Sequence, residues 1–312
     1  MENVDFIGFI KIKFLSNFIQ LHEISQIIKN WYYIPLFKIG FVKKIDLILK
    51  NGKIYYIKNS TDYDNFWQSK EAAIAVANKF NIKFSKNIIN FNNIKFRYKS
   101  EVEFKTIIYM IRENYIYKQY SKLKVCDRVV LDIGASIGDT AIFFSKNGAK
   151  KIIALELVPI TCKALIKNIK INKINNVQVL NYCLSKKTGY IKINNNYNGP
   201  GTKLEKVAFG KNIKTVSLNY LVKKYNLNNA ILKVDIEGGE YDSILTSDIF
   251  TLKSFDEIII EYHNGYFNLK EKFENCGFHV SLLNIPIQTR EGIRGLLFAK
   301  NNHHNLKVVN DS

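Results

Sequence analysis

The sequence predicts an α/β chain: a mostly parallel sheet with helices on both faces, preceded by an α+β extension. Three observations predict it. From Asp127 onward, short apolar runs alternate with stretches of helical spacing. Those runs are nearly continuous in Val, Ile and Leu, as in strands buried on both faces. Residues 1–98 show no such alternation.

In the extension, residues 6–28 carry apolar side chains at helical spacing. Ile45–Lys50 and Lys53–Ile57 flank Asn51-Gly52, the residue pair that a tight hairpin turn requires. Thr61–Phe80 predicts one helix, and Ile88–Tyr98, broken at Asn92-Asn93, a second hairpin. An aromatic-rich helix, Glu101–Tyr120, leads into the main domain, placed at residues 99–304, with 305–312 a polar tail.

In the main domain, strands are predicted at Arg128–Asp132, Lys151–Glu156, Val177–Tyr182, Ala230–Asp235 and Glu257–Glu261. Helices are predicted at 139–147, 159–171, 218–225, 240–245 and around 269–276. Two adjacent late strands, His279–Ile285 and Gly295–Lys300, predict an antiparallel strand at one edge.

The 312 residues include 46 Lys+Arg against 27 Asp+Glu, a net charge of +19, with 47% hydrophobic and 23% charged. That balance excludes disordered and collagen-like chains. Only five of the cations are arginines. Lysine lacks the planar fork that reads phosphates and bases bidentately, so the charge reads as a solvated coat. Residues 1–126 hold 21 basic and 10 acidic residues, a mild skew that keeps RNA as an alternative partner. No apolar run reaches the roughly 18 residues of a membrane span, so a soluble cytoplasmic chain is expected. The basic N-terminal helix leaves peripheral membrane contact open. Cys126, Cys162, Cys183 and Cys276 show no CxxC spacing and read as small buried hydrophobes in a reducing compartment.

Four strands end in a carboxylate: Asp132, Glu156, Asp235 and Glu261. In open parallel sheets ligands bind outside these carboxyl ends, so the acids are expected to face one crevice. The first turn reads Asp132-Ile-Gly134-Ala-Ser136-Ile-Gly138-Asp139. Its glycines let backbone approach a ligand closely. Ser136 replaces the middle glycine of a dinucleotide turn, and the flanking acids repel a diphosphate but suit a ligand with a positive end. S-adenosylmethionine, a sulfonium with a ribose and no phosphate, is such a ligand. Glu156 offers two acceptor oxygens to the ribose hydroxyl pair.

The segments LDIGASIGDTAIFF, ALELVP, LKVDIEGGEYDSIL and IIIEYH resemble, in order and spacing, the FkbM family of S-adenosylmethionine-dependent methyltransferases. The resemblance implies a Rossmann-like class I methyltransferase fold with a seven-stranded sheet. It also implies methyl transfer to a hydroxyl, often on a sugar or natural product, and carries Gly134 and Glu156 over as cofactor contacts. The family usually has Glu-Pro after the second strand, where this chain has Glu156-Leu-Val-Pro159. The expected cofactor set is Asp132, Gly134, Ser136, Gly138, Glu156 and Cys183.

The expected catalytic set is Asp235, Glu237, Glu261 and His263. His263, with an ordinary pKa of about 6.5, is the natural general base. A divalent metal held by Asp235 and Glu261 stays open, and Glu240 reads as a first-turn acid placed for the helix dipole. The expected acceptor is a hydroxyl of a carbohydrate, glycolipid or similar small molecule. No (Asn/Asp)-Pro-Pro-aromatic turn follows the fourth strand and no cysteine follows a proline, which puts nucleic acid second. A cofactor-binding module without turnover is the non-enzymatic alternative. Asn194–Lys203 reads as a surface loop, with a lid as its alternative, and His303-His304 as a solvated terminus.

Overall fold

The computed structural model describes residues 24–193, 211–289 and 292–302. Most of the predicted first helix, the Asn194–Lys203 stretch and His303-His304 lie outside these residues. The chain divides into two compact units, Met1–Ile116 and Tyr117–Ser312.

In the first unit, β1 (Ile45–Ile48) and β2 (Ile54–Ile57) form the expected hairpin around Asn51-Gly52, with Gly52 at φ +89°. The helix predicted across Thr61–Phe80 is two helices, Ser60–Trp67 and Lys70–Lys79. Ser69 causes the break: its extended backbone and side-chain oxygen cap the second helix by accepting from the Ala72 N–H. Strands β3 (Lys83–Ser85), β4 (Ile88–Phe91) and β5 (Ile94–Arg97) form an antiparallel sheet. Asn92 and Asn93 both take positive φ in its tight turn. The next helix, Glu101–Ile111, gives way to a π-helical turn at Arg112–Ile116 rather than running to Tyr120. It packs within this unit: Phe104 meets Phe84 and Tyr98 edge-on, and the Tyr109 hydroxyl donates to the Trp67 carbonyl.

The second unit holds β6 (Val129–Ile133), β7 (Lys151–Leu155), β8 (Val177–Leu180), β9 (Tyr182–Leu184), β10 (Gly189–Ile193), β11 (Lys211–Val216), β12 (Ala230–Val234), β13 (Phe255–Tyr262), β14 (Phe278–Leu282), β15 (Ile287–Gln288) and β16 (Ile293–Asn301). The main sheet runs β14-β16-β13-β12-β6-β7-β8, seven strands, with β15 paired to β16 off that path. All neighbouring pairs from β13 to β8 are parallel. The single antiparallel strand of the path, β16, is not at the edge as predicted; it lies between β13 and β14, which leaves β14 outermost. A smaller sheet, β10-β11-β9, fills the insertion before β12.

The chain leaves β6 toward β7 and β8, then returns to place β12 on the other side of β6. That reversal is the topological switch point, where adjacent crossovers diverge and open a crevice. Right-handed crossovers in both directions put the intervening helices on opposite faces. Residues 139–146, 159–171, 218–225, 240–245, 249–253 and 267–275 form those helices. Leu131, Ile133, Leu155, Leu232, Val234 and Ile260 lie in the core beneath the crevice.

Candidate active site

Strand register aligns the site. Ile133 pairs with Leu155 and with Val234, and Val234 pairs with Ile260. The residues that follow them, Gly134, Glu156, Asp235 and Glu261, therefore leave four adjacent parallel strands at one level. Three of the four strand-terminal acids share that level. The fourth, Asp132, lies two residues deeper, fully buried beside Lys233 of β12.

Lys233 is the buried cation that sequence reading passed over. It is 1% exposed in a strand whose every residue is buried. Its Nζ lies 3.3 Å from Asp132 Oδ1 and 4.0 Å from Asp235 Oδ2, and donates to the Gly134 carbonyl at 2.7 Å. Burial works against its charge, but the carboxylates of Asp132, Asp235 and Asp139 outweigh that, so its pKa is raised and it stays protonated. Thr140 Oγ1 donates to the other Asp132 oxygen at 2.6 Å. Asp132 is thus held inside the sheet rather than at the crevice mouth.

The glycine turn also differs from its sequence reading. Gly134 has φ +76°, and a Cβ there would lie 1.8 Å from the Asp235 carbonyl oxygen. The space that glycine leaves is filled by the neighbouring strand's backbone, not kept for a ligand. Gly138, left-handed at φ +94°, opens helix 139–146. Between them, the Ser136 hydroxyl is buried without a hydrogen bond among the described residues. Burial pushes the Asp139 carboxyl up to about 7. Burial likewise pushes Glu156 up to about 7, although Glu156 accepts from the Val158 N–H at 2.7 Å. The buried Glu156 carboxyl at the end of β7 and the unpartnered Ser136 hydroxyl after β6 fit a ligand that brings hydroxyl donors. Cys183 lies on β9 of the smaller sheet, its thiol 3.2 Å from the Leu184 carbonyl.

The second cluster gathers at the exits of β12 and β13. His263 is 5% exposed. Its Nε2 faces Glu237 Oε2 at 3.5 Å, Asp235 Oδ1 at 3.9 Å and Glu261 Oε1 at 3.9 Å. Its Nδ1 and its backbone N–H both meet Glu240 Oε1 at 3.0 Å. Burial lowers its pKa, but the Glu240 contact and the charges of Asp235 and Glu237 win, so the net shift is upward. A histidine held this way keeps its proton more tightly than the free side chain, contrary to the expectation of a ready base.

Glu240 is fully buried and its other oxygen accepts from the Gly238 N–H at 2.8 Å. It positions His263, so the helix-dipole reading is incomplete. Tyr120 and Gln119 support the acids from the segment before β6. The Tyr120 hydroxyl donates to Asp235 Oδ2 at 3.5 Å, and Gln119 Nε2 donates to Glu261 Oε2 at 3.3 Å. Burial, reinforced by Asp235 and Glu261, raises the Tyr120 pKa, so the phenol stays a donor. Arg294 of β16 reaches Glu237 Oε2 at 3.4 Å.

Residues 132–284 match the family model described as "Methyltransferase FkbM domain". Among solved structures, the chain is similar to a precorrin-6y C5,15-methyltransferase from Geobacter metallireducens, with 19% identity, 58% of this chain and 84% of that chain covered, and a TM-score of 0.37. It is similar to M. capricolum TrmK, solved with S-adenosyl-homocysteine, at 14% identity, 60% and 68% coverage and a TM-score of 0.40. It is also similar to M. jannaschii TYW2, solved with AdoMet, at 15% identity, 70% and 88% coverage and a TM-score of 0.40. Likenesses this distant do not say what the chain acts on. The family match spans the glycine turn, Glu156, the Asp235–Glu240 segment and His263, so residues 132–284 carry an S-adenosylmethionine-dependent methyltransferase domain of the FkbM type.

Proposed function

We propose that the domain methylates a hydroxyl of a carbohydrate, glycolipid or similar small acceptor. The observation that supports this reading is the cluster of Asp235, Glu237, Glu261 and His263 at the exits of the two strands beside the switch point. Carboxylates are acceptors that hold and align hydroxyl donors, whereas they repel the phosphodiesters of a nucleic acid. No described helix is long and apolar enough to cross a membrane.

S-adenosylmethionine supplies an electrophilic methyl group. Glu156 would hold the ribose hydroxyls, and Ser136 and the Gly134–Gly138 turn would line the rest of its seat. The side chains of Asp235, Glu237 and Glu261 are 31%, 27% and 27% exposed, so an entering hydroxyl reaches these carboxylates before the deeper His263. They orient its oxygen toward the methyl carbon. Bound there, the cofactor would supply the methyl carbon and its sulfur would leave with the C–S electron pair, while a carboxylate oxygen of the cluster would take the hydroxyl proton.

The test is incubation of the full chain with methyl-labelled S-adenosylmethionine and a fractionated cell extract. Label in glycan or glycolipid that survives mild base, as an ether does, supports the proposal. Label confined to RNA or protein overturns it.

A further inference from the structure

His263 sits among the acids at the exits of β12 and β13. Three carboxylates, Asp235, Glu237 and Glu261, converge on one imidazole nitrogen at 3.5–3.9 Å. That nitrogen, Nε2, is buried and makes no hydrogen bond among the described residues. Hydrogen-bonded carboxylates and imidazoles lie closer, near 2.7–2.9 Å, so none of the three carboxylates is hydrogen-bonded to Nε2. One ligand atom each from Asp235, Glu261 and His263 lie within 4.8 Å of one another. Donor atoms about 2.0–2.2 Å from a shared cation have separations of roughly 3–4.4 Å, which this set matches after small side-chain adjustments.

The surroundings are built for that task. Glu240, fully buried, takes Nδ1 at 3.0 Å and so fixes Nε2 as the nitrogen that faces the acids. A carboxylate behind a histidine is the arrangement that orients metal-binding imidazoles. Gln119 and Tyr120 hold the far oxygens of Glu261 and Asp235. Of the neighbouring cations, Arg294 lies 3.4 Å from Glu237 Oε2 and Lys233 4.0 Å from Asp235 Oδ2, the Asp235 oxygen turned away from His263.

We infer that Asp235, Glu261 and His263 Nε2 form a binding site for one divalent cation, with Glu240 as the positioning residue behind the histidine. One imidazole with carboxylate oxygens suits a cation of the Mn²⁺ type better than the all-oxygen preference of Ca²⁺ or the thiolate preference of softer ions. Its functional consequence rests on the hydroxyl-methylating reading above: the cation aligns the acceptor oxygen, and Glu237, outside the ligand set, takes the proton.

The test titrates the full, metal-stripped chain with Mn²⁺, following free Mn²⁺ by electron paramagnetic resonance, without cofactor or acceptor. The expected result is one tight site per chain, weakened at least tenfold by Glu261→Gln and by His263→Ala, and unchanged by Glu274→Gln on the exposed face of helix 267–275. Circular dichroism confirms folding of each variant. Should His263→Ala fail to fold, Glu261→Gln, which keeps the shape of the side chain, decides alone. Glu240→Gln should weaken Mn²⁺ while leaving one site, which a merely structural glutamate would not do. Absence of a stoichiometric site, or a site indifferent to Glu261→Gln, overturns the inference. Mn²⁺ binding with no methylation of any hydroxyl leaves the cation site standing and removes the acceptor reading instead.

Discussion

Lys233 and Asp132 are register partners on adjacent parallel strands, and their charges meet 3.3 Å apart with both side chains out of water. The pair joins β6 to β12 directly beneath the switch point, and its lysine also holds the Gly134 carbonyl. Removing one partner of such a pair leaves a buried charge uncompensated, which costs far more than the pair itself contributes. Lys233→Met should therefore destabilise the protein by about 3–5 kcal/mol in urea unfolding. Adding Asp132→Asn should recover at least half of that loss. A single variant within 1 kcal/mol of the parent would show that the pair is not isolated from water.

Gly134→Ala should behave as a folding lesion first. The added Cβ meets the Asp235 carbonyl oxygen at 1.8 Å in a backbone conformation that L side chains avoid. Neither strand exit has room to move without disturbing the register of β6 and β12. Thermal unfolding should fall by several degrees with the cofactor absent. A variant with unchanged melting but no cofactor binding would favour the reading in which the glycine makes room for the ligand.

The sheet was legible in the sequence because each main strand is a continuous apolar run bounded by turn residues. Helices 159–171, 218–225 and 240–245 fall where their periodicity places them. The break at Ser69 was missed because the apolar spacing continues across it, and only the serine's capping preference marks it. β16 entered between β13 and β14 because adjacency in sequence says which strands pair, not which pair a third strand can enter.

Within the site, the acids at strand ends could be read one by one. Their partners could not, since Lys233 looks like one more lysine among many. Its signal was position: a lysine inside Ile231-Leu-Lys-Val234 must find a buried anion, and the register supplies Asp132. Glu240 was hidden by a competing local explanation, and its link to His263 spans 23 residues of chain. Gln119 and Tyr120 belong to no motif and reach the cluster only through the fold.

Glu156 gives the stability a pH dependence of known sign. Burial raises its folded-state pKa to about 7 from 4.5. The contribution is fully present below about pH 4.5 and is lost as pH rises through about 7. Glu156→Gln removes that loss, so its stability relative to the parent should rise by about 3 kcal/mol between pH 4 and pH 8. Denaturant melts of both proteins without cofactor measure it. A difference that stays flat across that range contradicts the buried, protonatable carboxyl.

The same residue should separate binding from chemistry. Glu156→Ala removes charge-assisted hydrogen bonds to the ribose, so calorimetry should show S-adenosylmethionine binding weakened by about 2–3 kcal/mol. Turnover at saturating cofactor should stay within a few-fold of the parent. Unchanged affinity would remove Glu156 from the cofactor seat.

Asp235→Asn is the reverse case and the most direct test of the account. Its carboxylate sits at the switch point, at the level of Glu156 and Glu261, in contact with the Tyr120 hydroxyl. The measurement is labelled methyl transfer to the hydroxyl acceptor under saturating cofactor, with cofactor affinity determined on the same preparation. Turnover should fall by at least about a hundredfold while affinity stays within about threefold of the parent. Parental turnover in that variant would contradict it and place the chemistry outside this crevice.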